Sequence, residues 1–131
     1  MKDKDTTFQT LKDTLAPLFK EREWGQFHTP KNLSMNLVAE AAELMELFLW
    51  SNTREQVDVE LKENRQEVED ELADVVIAAI TFAIATDIDI AKAIEHKIEI
   101  FKKKYPVELA KGTSTKYTKL HKKIVRLEFC P

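Results

Sequence analysis

The chain has 131 residues, 44% hydrophobic and 33% charged, with a formal net charge of −3. That length suits one globular domain, and that mix excludes a disordered segment. Only 2 Gly and 4 Pro punctuate it, too few turn-formers for a many-stranded β architecture and too few glycines for either common Gly-rich phosphate cradle.

Long helices are expected instead. Phe8, Leu11, Leu15, Leu18 and Phe19 recur at helical spacing, which predicts a first helix from Thr7 to about Glu23. Pro17 falls inside it and removes an amide, so a kink or restart is expected there. Trp24-Gly25-Gln26-Phe27-His28 reads as a short aromatic connector. Thr29-Pro30 then reads as an N-cap followed by proline at the first helical position. The second helix extends to about Trp50 and is apolar almost all round: Leu33, Leu37, Val38, Ala41, Leu44, Met45, Phe48.

Residues 51–65 are polar and acidic, a long loop or a short surface helix. A third helix opens with Glu67, Glu69, Asp70 and Glu71, which suits the positive end of its dipole. It continues as LADVVIAAITFAIA, where Asp74 is the sole charge, and breaks at Asp87-Ile88-Asp89. A fourth helix runs from Ile90 to Lys104, ends favourably in Lys102, Lys103 and Lys104, and is stopped by Pro106. No repeat or linker interrupts the chain, which predicts an all-α, four-helix-bundle-like domain over residues 1–110 with a basic tail over 111–131. Residues 1–106 carry a balance of −7 and residues 107–131 a balance of +4.

Cys130 is the single cysteine, which excludes an internal disulfide or a Cys-based zinc site. The longest uncharged stretch, Val75 to Thr86, is 12 residues, too short for a bilayer. The start, MKDKDTTFQT, has no apolar signal-peptide core. A cytoplasmic protein without membrane contact is expected. The basic tail lacks an ordered basic face, and no nucleic-acid partner is expected.

The second helix holds Glu40-Ala-Ala-Glu43 and the third Glu71-Leu-Ala-Asp74; residues i and i+3 are neighbours on one helix face. Such pairs are usually solvated surface. Here the neighbouring positions are apolar on nearly every side, and buried carboxylates without partners cost several kcal/mol each. No Lys or Arg lies between Asn32 and Trp50 or between Gln66 and Lys92, so metal is the favoured solution. An all-oxygen donor set suits a hard cation, Mg²⁺ first and Mn²⁺ as substitute. A ferritin-like di-iron centre needs Glu-x-x-His, and none of His28, His96 or His121 has Glu three residues before it. A cation on carboxylates also offers a phosphate-binding route without glycine, since Mg²⁺ keeps positions for water and substrate phosphates.

Glu40-x-x-Glu43 followed by Glu71-x-x-Asp74 resembles the signature of the MazG-like all-α nucleoside triphosphate pyrophosphohydrolases. The chain is most similar to the dCTP pyrophosphatase branch, through EREWGQFHTPKNL (Glu21–Leu33), ELMELFLW (Glu43–Trp50), DELADVVI (Asp70–Ile77), KYP (Lys104–Pro106) and STKYTKL (Ser114–Leu120). The resemblance implies Mg²⁺-dependent hydrolysis of a nucleoside triphosphate to the monophosphate and pyrophosphate, with a pyrimidine substrate such as dCTP. It implies Glu40, Glu43, Glu71 and Asp74 as metal ligands, with Glu43 or Glu40 also assisting catalysis. Trp24, His28 and Trp50 match positions near the base, and Lys97 and Tyr105 match positions on the phosphate side. It also implies a homo-dimer or homo-tetramer with sites at subunit contacts.

Two positions depart from the branch: Ala78 stands where a Tyr is usual, and Phe101 where an Asn is usual. Phe101 is expected to fill space vacated at Ala78, at the cost of polar contacts to substrate and of strict deoxycytidine preference. The alternatives are a dUTP or phosphoribosyl-ATP pyrophosphohydrolase on the same fold, or a non-catalytic helical nucleotide-binding or interaction module.

Overall fold

Threonine hydroxyls decide where the helices begin. In the computed structural model, which describes residues 1–120, Thr7 caps α1 (Phe8–Glu21) by accepting from the Thr10 amide. Thr29 caps α2 (Pro30–Glu46) by accepting from the Asn32 amide, with Pro30 in the first turn as the sequence predicts. Thr53 and Gln56 form a reciprocal capping box on α3 (Arg54–Glu63). Thus the polar stretch after Trp50 resolves as a short surface helix. Next come α4 (Arg65–Thr86), α5 (Ile90–Lys104) and the single-turn α6 (Val107–Ala110). No strand occurs among the described residues, so the all-α expectation holds. Cys130, His121 and the rest of the tail beyond residue 120 lie outside the described residues.

Two boundaries differ from the sequence reading. α1 passes Pro17 without a restart; the bond lost there is the one to the carbonyl of Asp13, which is exposed and open to water. α2 stops at Glu46 rather than Trp50. Phe48 and Leu49 donate instead to the carbonyls three residues back, Met45 and Glu46, which tightens the chain into turns and delivers Trp50 away from the helix.

The scarcity of glycine shows at the left-handed positions. Glu23 (φ 54°) and Asp87 (φ 53°) adopt them without glycine. Asp87 ends α4, and the Ile88 amide reaches back to the Ala83 carbonyl at 3.0 Å, the closure of a Schellman turn. Asp tolerates this backbone better than most side chains.

By contact the chain separates into two units, Met1–Ile90 and the part from Ala91 onward. In the first unit α2 and α4 form the most extensive pair, α1 packs on α4 and α3 touches it more lightly. Its core is small: Leu33, Ala78, Ile80 and Ala83, with Thr81 buried among them. The Thr81 hydroxyl donates to the Ile77 carbonyl at 2.7 Å, so its burial leaves no orphaned donor. The all-round apolar α2 does not become a buried helix. Only Leu33 on it is buried, while Met35, Val38 and Met45 stay exposed, as do Leu72, Val76 and Ile77 on α4. Apolar side chains left exposed on both helices are surface that association with another body would cover.

In the second unit Tyr105 meets Tyr117 edge to face at 6.1 Å, and the Lys104 ammonium lies 4.6 Å over the Tyr117 ring. These contacts explain the tyrosine of the KYT stretch as packing for Tyr105.

Because the α2 cap is a single hydroxyl, Thr29→Ala should cost about 1 kcal/mol. Urea unfolding should show a lower midpoint with an unchanged slope.

Candidate metal and nucleotide site

The carboxylates of Glu40 and Glu43 on α2 and Glu71 on α4 each offer an oxygen within 4.8 Å of the other two. Spacing i, i+3 puts the first pair on one face of α2, and the α2–α4 pairing brings Glu71 opposite. Glu40 and Glu71 are half-buried and Glu43 is exposed. One oxygen of Glu71, Oε2, is buried and has no hydrogen-bond partner. Desolvation, then the like charges of Glu43, Asp74, Glu40 and Glu67, push the Glu71 carboxyl above its ordinary value.

Asp74 differs from expectation. It is exposed rather than buried and lies outside the tight group of three, although its charge is felt at Glu71. Its place one turn along α4 from Glu71 points it toward the adjoining cavity, whose wall it shares with Glu40.

The donor chemistry fits a hard divalent cation. Oxygens on opposite sides of an octahedral Mg²⁺ lie about 4.2 Å apart, so a 4.8 Å cluster needs only small side-chain adjustments to close on one. A cation would also supply what Glu71 Oε2 lacks and cancel the repulsion among the carboxylates.

The cavity beside the carboxylates, about 450 Å³, leads from Glu40 and Asp74 to an aromatic cluster. Phe19 comes from the end of α1, Trp24 from the 3-10 turn Trp24–Gln26, and His28 from the residue before the α2 cap. The Phe19 and Trp24 rings stack at 6.3 Å, and His28 meets Phe19 edge to face at 4.9 Å. The Arg22 guanidinium lies 5.9 Å over Trp24. The Asn32 amide donates to the Phe27 carbonyl at 3.0 Å and ties the connector to α2. Trp24 remains 46% exposed and Phe27 59% exposed, so both residues keep accessible surface in the cavity wall.

The structure therefore brings Trp24 and His28 together with Glu40 and Asp74. It does not bring Trp50 to them. Trp50 is 83% exposed and lines a separate hollow with Leu47, Gln56 and Val59. Lys97 and Tyr105 belong to the second unit; there Lys97 reaches over the Phe101 ring at 5.7 Å. Ala78 is buried at the cavity wall and Phe101 is 51% exposed. The sequence reading overlooked Phe19, Asn32, Asn36 and Thr81 in the wall. The asparagines carried a signal, because Asn32, Asn36 and Glu40 fall at i, i+4 and i+8 on one helix face.

Residues 36–120 match the profile of the MazG-like family. The chain belongs to the MazG-like family. It is 35% identical over 117 residues to dCTP pyrophosphatase 1 of Mus musculus, covering 88% of this chain and 69% of the mouse protein. Human dCTP pyrophosphatase 1 is likewise 35% identical, over the same shares. A pyrophosphatase from Archaeoglobus fulgidus superposes with a TM-score of 0.70 at 35% identity, over 72% of this chain and 87% of that one. These matches agree with the resemblance carried by the carboxylate pattern. No helix among the described residues is long and apolar enough to cross a membrane.

The raised Glu71 carboxyl makes stability depend on pH. A group whose folded-state pKa is raised binds more protons folded than unfolded, so stability falls as pH rises from its ordinary value through the folded one. Without divalent cation, the melting temperature of the wild type should therefore drop relative to Glu71→Gln between about pH 4 and neutrality. At neutral pH, Mg²⁺ should raise the melting temperature of the wild type and leave that of Glu71→Gln nearly unchanged.

Proposed function

We propose that this protein hydrolyses a nucleoside triphosphate at the α–β phosphoanhydride, releasing the monophosphate and pyrophosphate, with Mg²⁺ and a pyrimidine deoxynucleotide such as dCTP. The observation that carries this reading is the adjacency of a three-carboxylate cluster to an aromatic-ended cavity. That arrangement offers a cation-binding end for phosphates and a stacking end for a base. Membership of the MazG-like family and the likeness to dCTP pyrophosphatases support it.

Glu40, Glu43 and Glu71 would hold the cation, with Asp74 as a further ligand from the cavity wall. When bound, the cation neutralises phosphate oxygens and lowers the pKa of water. The residues of the chain do the rest. We assign Glu43, the exposed member of the cluster, to accept a proton from the attacking water, with Glu40 beside it. Trp24 and His28 hold the base, Trp24 by stacking and His28 by its ring edge and polar nitrogens. For the phosphate side, the support for Lys97 and Tyr105 is the resemblance to the dCTP pyrophosphatase branch alone.

Trp50 stands apart from Trp24 in the chain, and α2 and α4 leave Met35, Val38, Leu72 and Val76 exposed. Both features support a homo-dimer or homo-tetramer, in which Trp50 would serve the site of a neighbouring copy.

A panel of ribo- and deoxynucleoside triphosphates, assayed for pyrophosphate with Mg²⁺ and then Mn²⁺, tests the reading. Release should be metal-dependent and fastest with a pyrimidine deoxynucleotide. Binding without release from any nucleotide would favour the non-catalytic module, and preference for dUTP or phosphoribosyl-ATP would reassign the substrate. Glu43→Gln should lower kcat at least 100-fold, the scale of a lost general base, while circular dichroism shows the same helix content.

A further inference from the structure

The face of α2 that lines the cavity carries a second polar group the assigned site does not use. Asn32, Asn36 and Glu40 follow one another at four-residue intervals along it, and all three contribute to the cavity wall. Glu40 belongs to the carboxylate cluster. Asn32 is committed to the Phe27 carbonyl. Asn36 lies between them, exposed, and no hydrogen bond to its side-chain amide is formed among the described residues.

Its type is unexpected for its place. Asn in a helix interior is a poorer helix former than Ala, and here it closes no cap and supports no neighbour. Four residues of helix advance about 6 Å, so Asn36 sits one turn from the cation end and one turn from the aromatic end. In a nucleotide held between those ends, the group midway is the sugar.

We propose that Asn36 is a substrate-binding residue that holds the sugar of the substrate through its 3′-hydroxyl. The amide oxygen can accept from that hydroxyl and the amide nitrogen can donate to it. Asn36 acts on binding and orientation, and no proton is transferred to it. This inference rests on the proposed reading of the cavity, with the base among Phe19, Trp24 and His28 and the phosphates at the carboxylates.

The test compares wild type with Asn36→Ala on three substrates: the deoxynucleoside triphosphate turned over fastest in the panel, its 2′,3′-dideoxy counterpart and its ribo counterpart. Losing one hydrogen bond at a partly solvated site is worth about tenfold. The substitution should lower kcat/KM for the deoxynucleotide about tenfold, mainly through KM, and for the dideoxynucleotide by less than about twofold. Thermal melting should show Asn36→Ala at least as stable as wild type, since Ala is the better helix former.

An equal loss on the deoxy and dideoxy substrates would overturn the assignment, because the lost contact would then lie elsewhere on the nucleotide. No loss on any substrate would overturn it too. A loss confined to the ribonucleotide would place the contact at the 2′-hydroxyl and contradict the proposal. If wild type releases pyrophosphate from no nucleotide, the reading of the site falls first and this inference with it. A normal wild-type profile shared by Asn36→Ala removes only the sugar contact.

Discussion

Crowding of like charge is the constraint on which the rest of this molecule depends. Three carboxylates from two helices converge to within 4.8 Å, one of their oxygens is buried without a partner, and no basic side chain stands between Asn32 and Trp50 or between Gln66 and Lys92 to offset them. Mutual repulsion and desolvation both act against the folded chain. A hard divalent cation answers both at once, and the same cation is what a polyphosphate substrate needs at its oxygens. The α2–α4 pair is therefore both the main packing contact of the first unit and the frame of the carboxylate cluster.

The near absence of glycine belongs to the same logic. A glycine-rich loop binds phosphate through backbone amides, and this chain has two glycines in all. It places its polar chemistry on helix faces instead, at i, i+3 and i+4 spacings that a rigid α2 and α4 hold in register. The residual cost appears where the backbone must still turn, at Glu23 and Asp87 in left-handed conformations.

Much of the fold was legible in the sequence because its signals are local. Thr29-Pro30, the break at Asp87-Ile88-Asp89 and the stop before Pro106 depend on a few adjacent residues, and the helices begin or end there. The restart allowed at Pro17 does not occur, since the carbonyl left without a helix partner belongs to the exposed Asp13 and water can replace the lost bond at little cost. The carboxylates were legible as a group because their spacing and apolar surroundings conflict. Their burial was not: a single-chain periodicity cannot say whether an apolar face meets its own chain or another surface. α2 shows this, with Leu33 buried and Val38 69% exposed. Asn36 passed unnoticed because a lone polar residue on a helix reads as solvated until the aromatic connector folds back to make a cavity wall of it. Trp50 could not be placed either, as the α-helix ends at Glu46 and the following turns redirect the chain.

The claim that the α2–α4 carboxylates form a divalent-cation site is tested most directly by titrating the protein with Mn²⁺ and following the free-ion electron paramagnetic resonance signal. The wild type should bind Mn²⁺, Mg²⁺ should displace it, and a Glu40→Gln, Glu71→Gln double variant with unchanged helix content should bind none at that site. Equal Mn²⁺ binding by the folded double variant and the wild type would contradict the account.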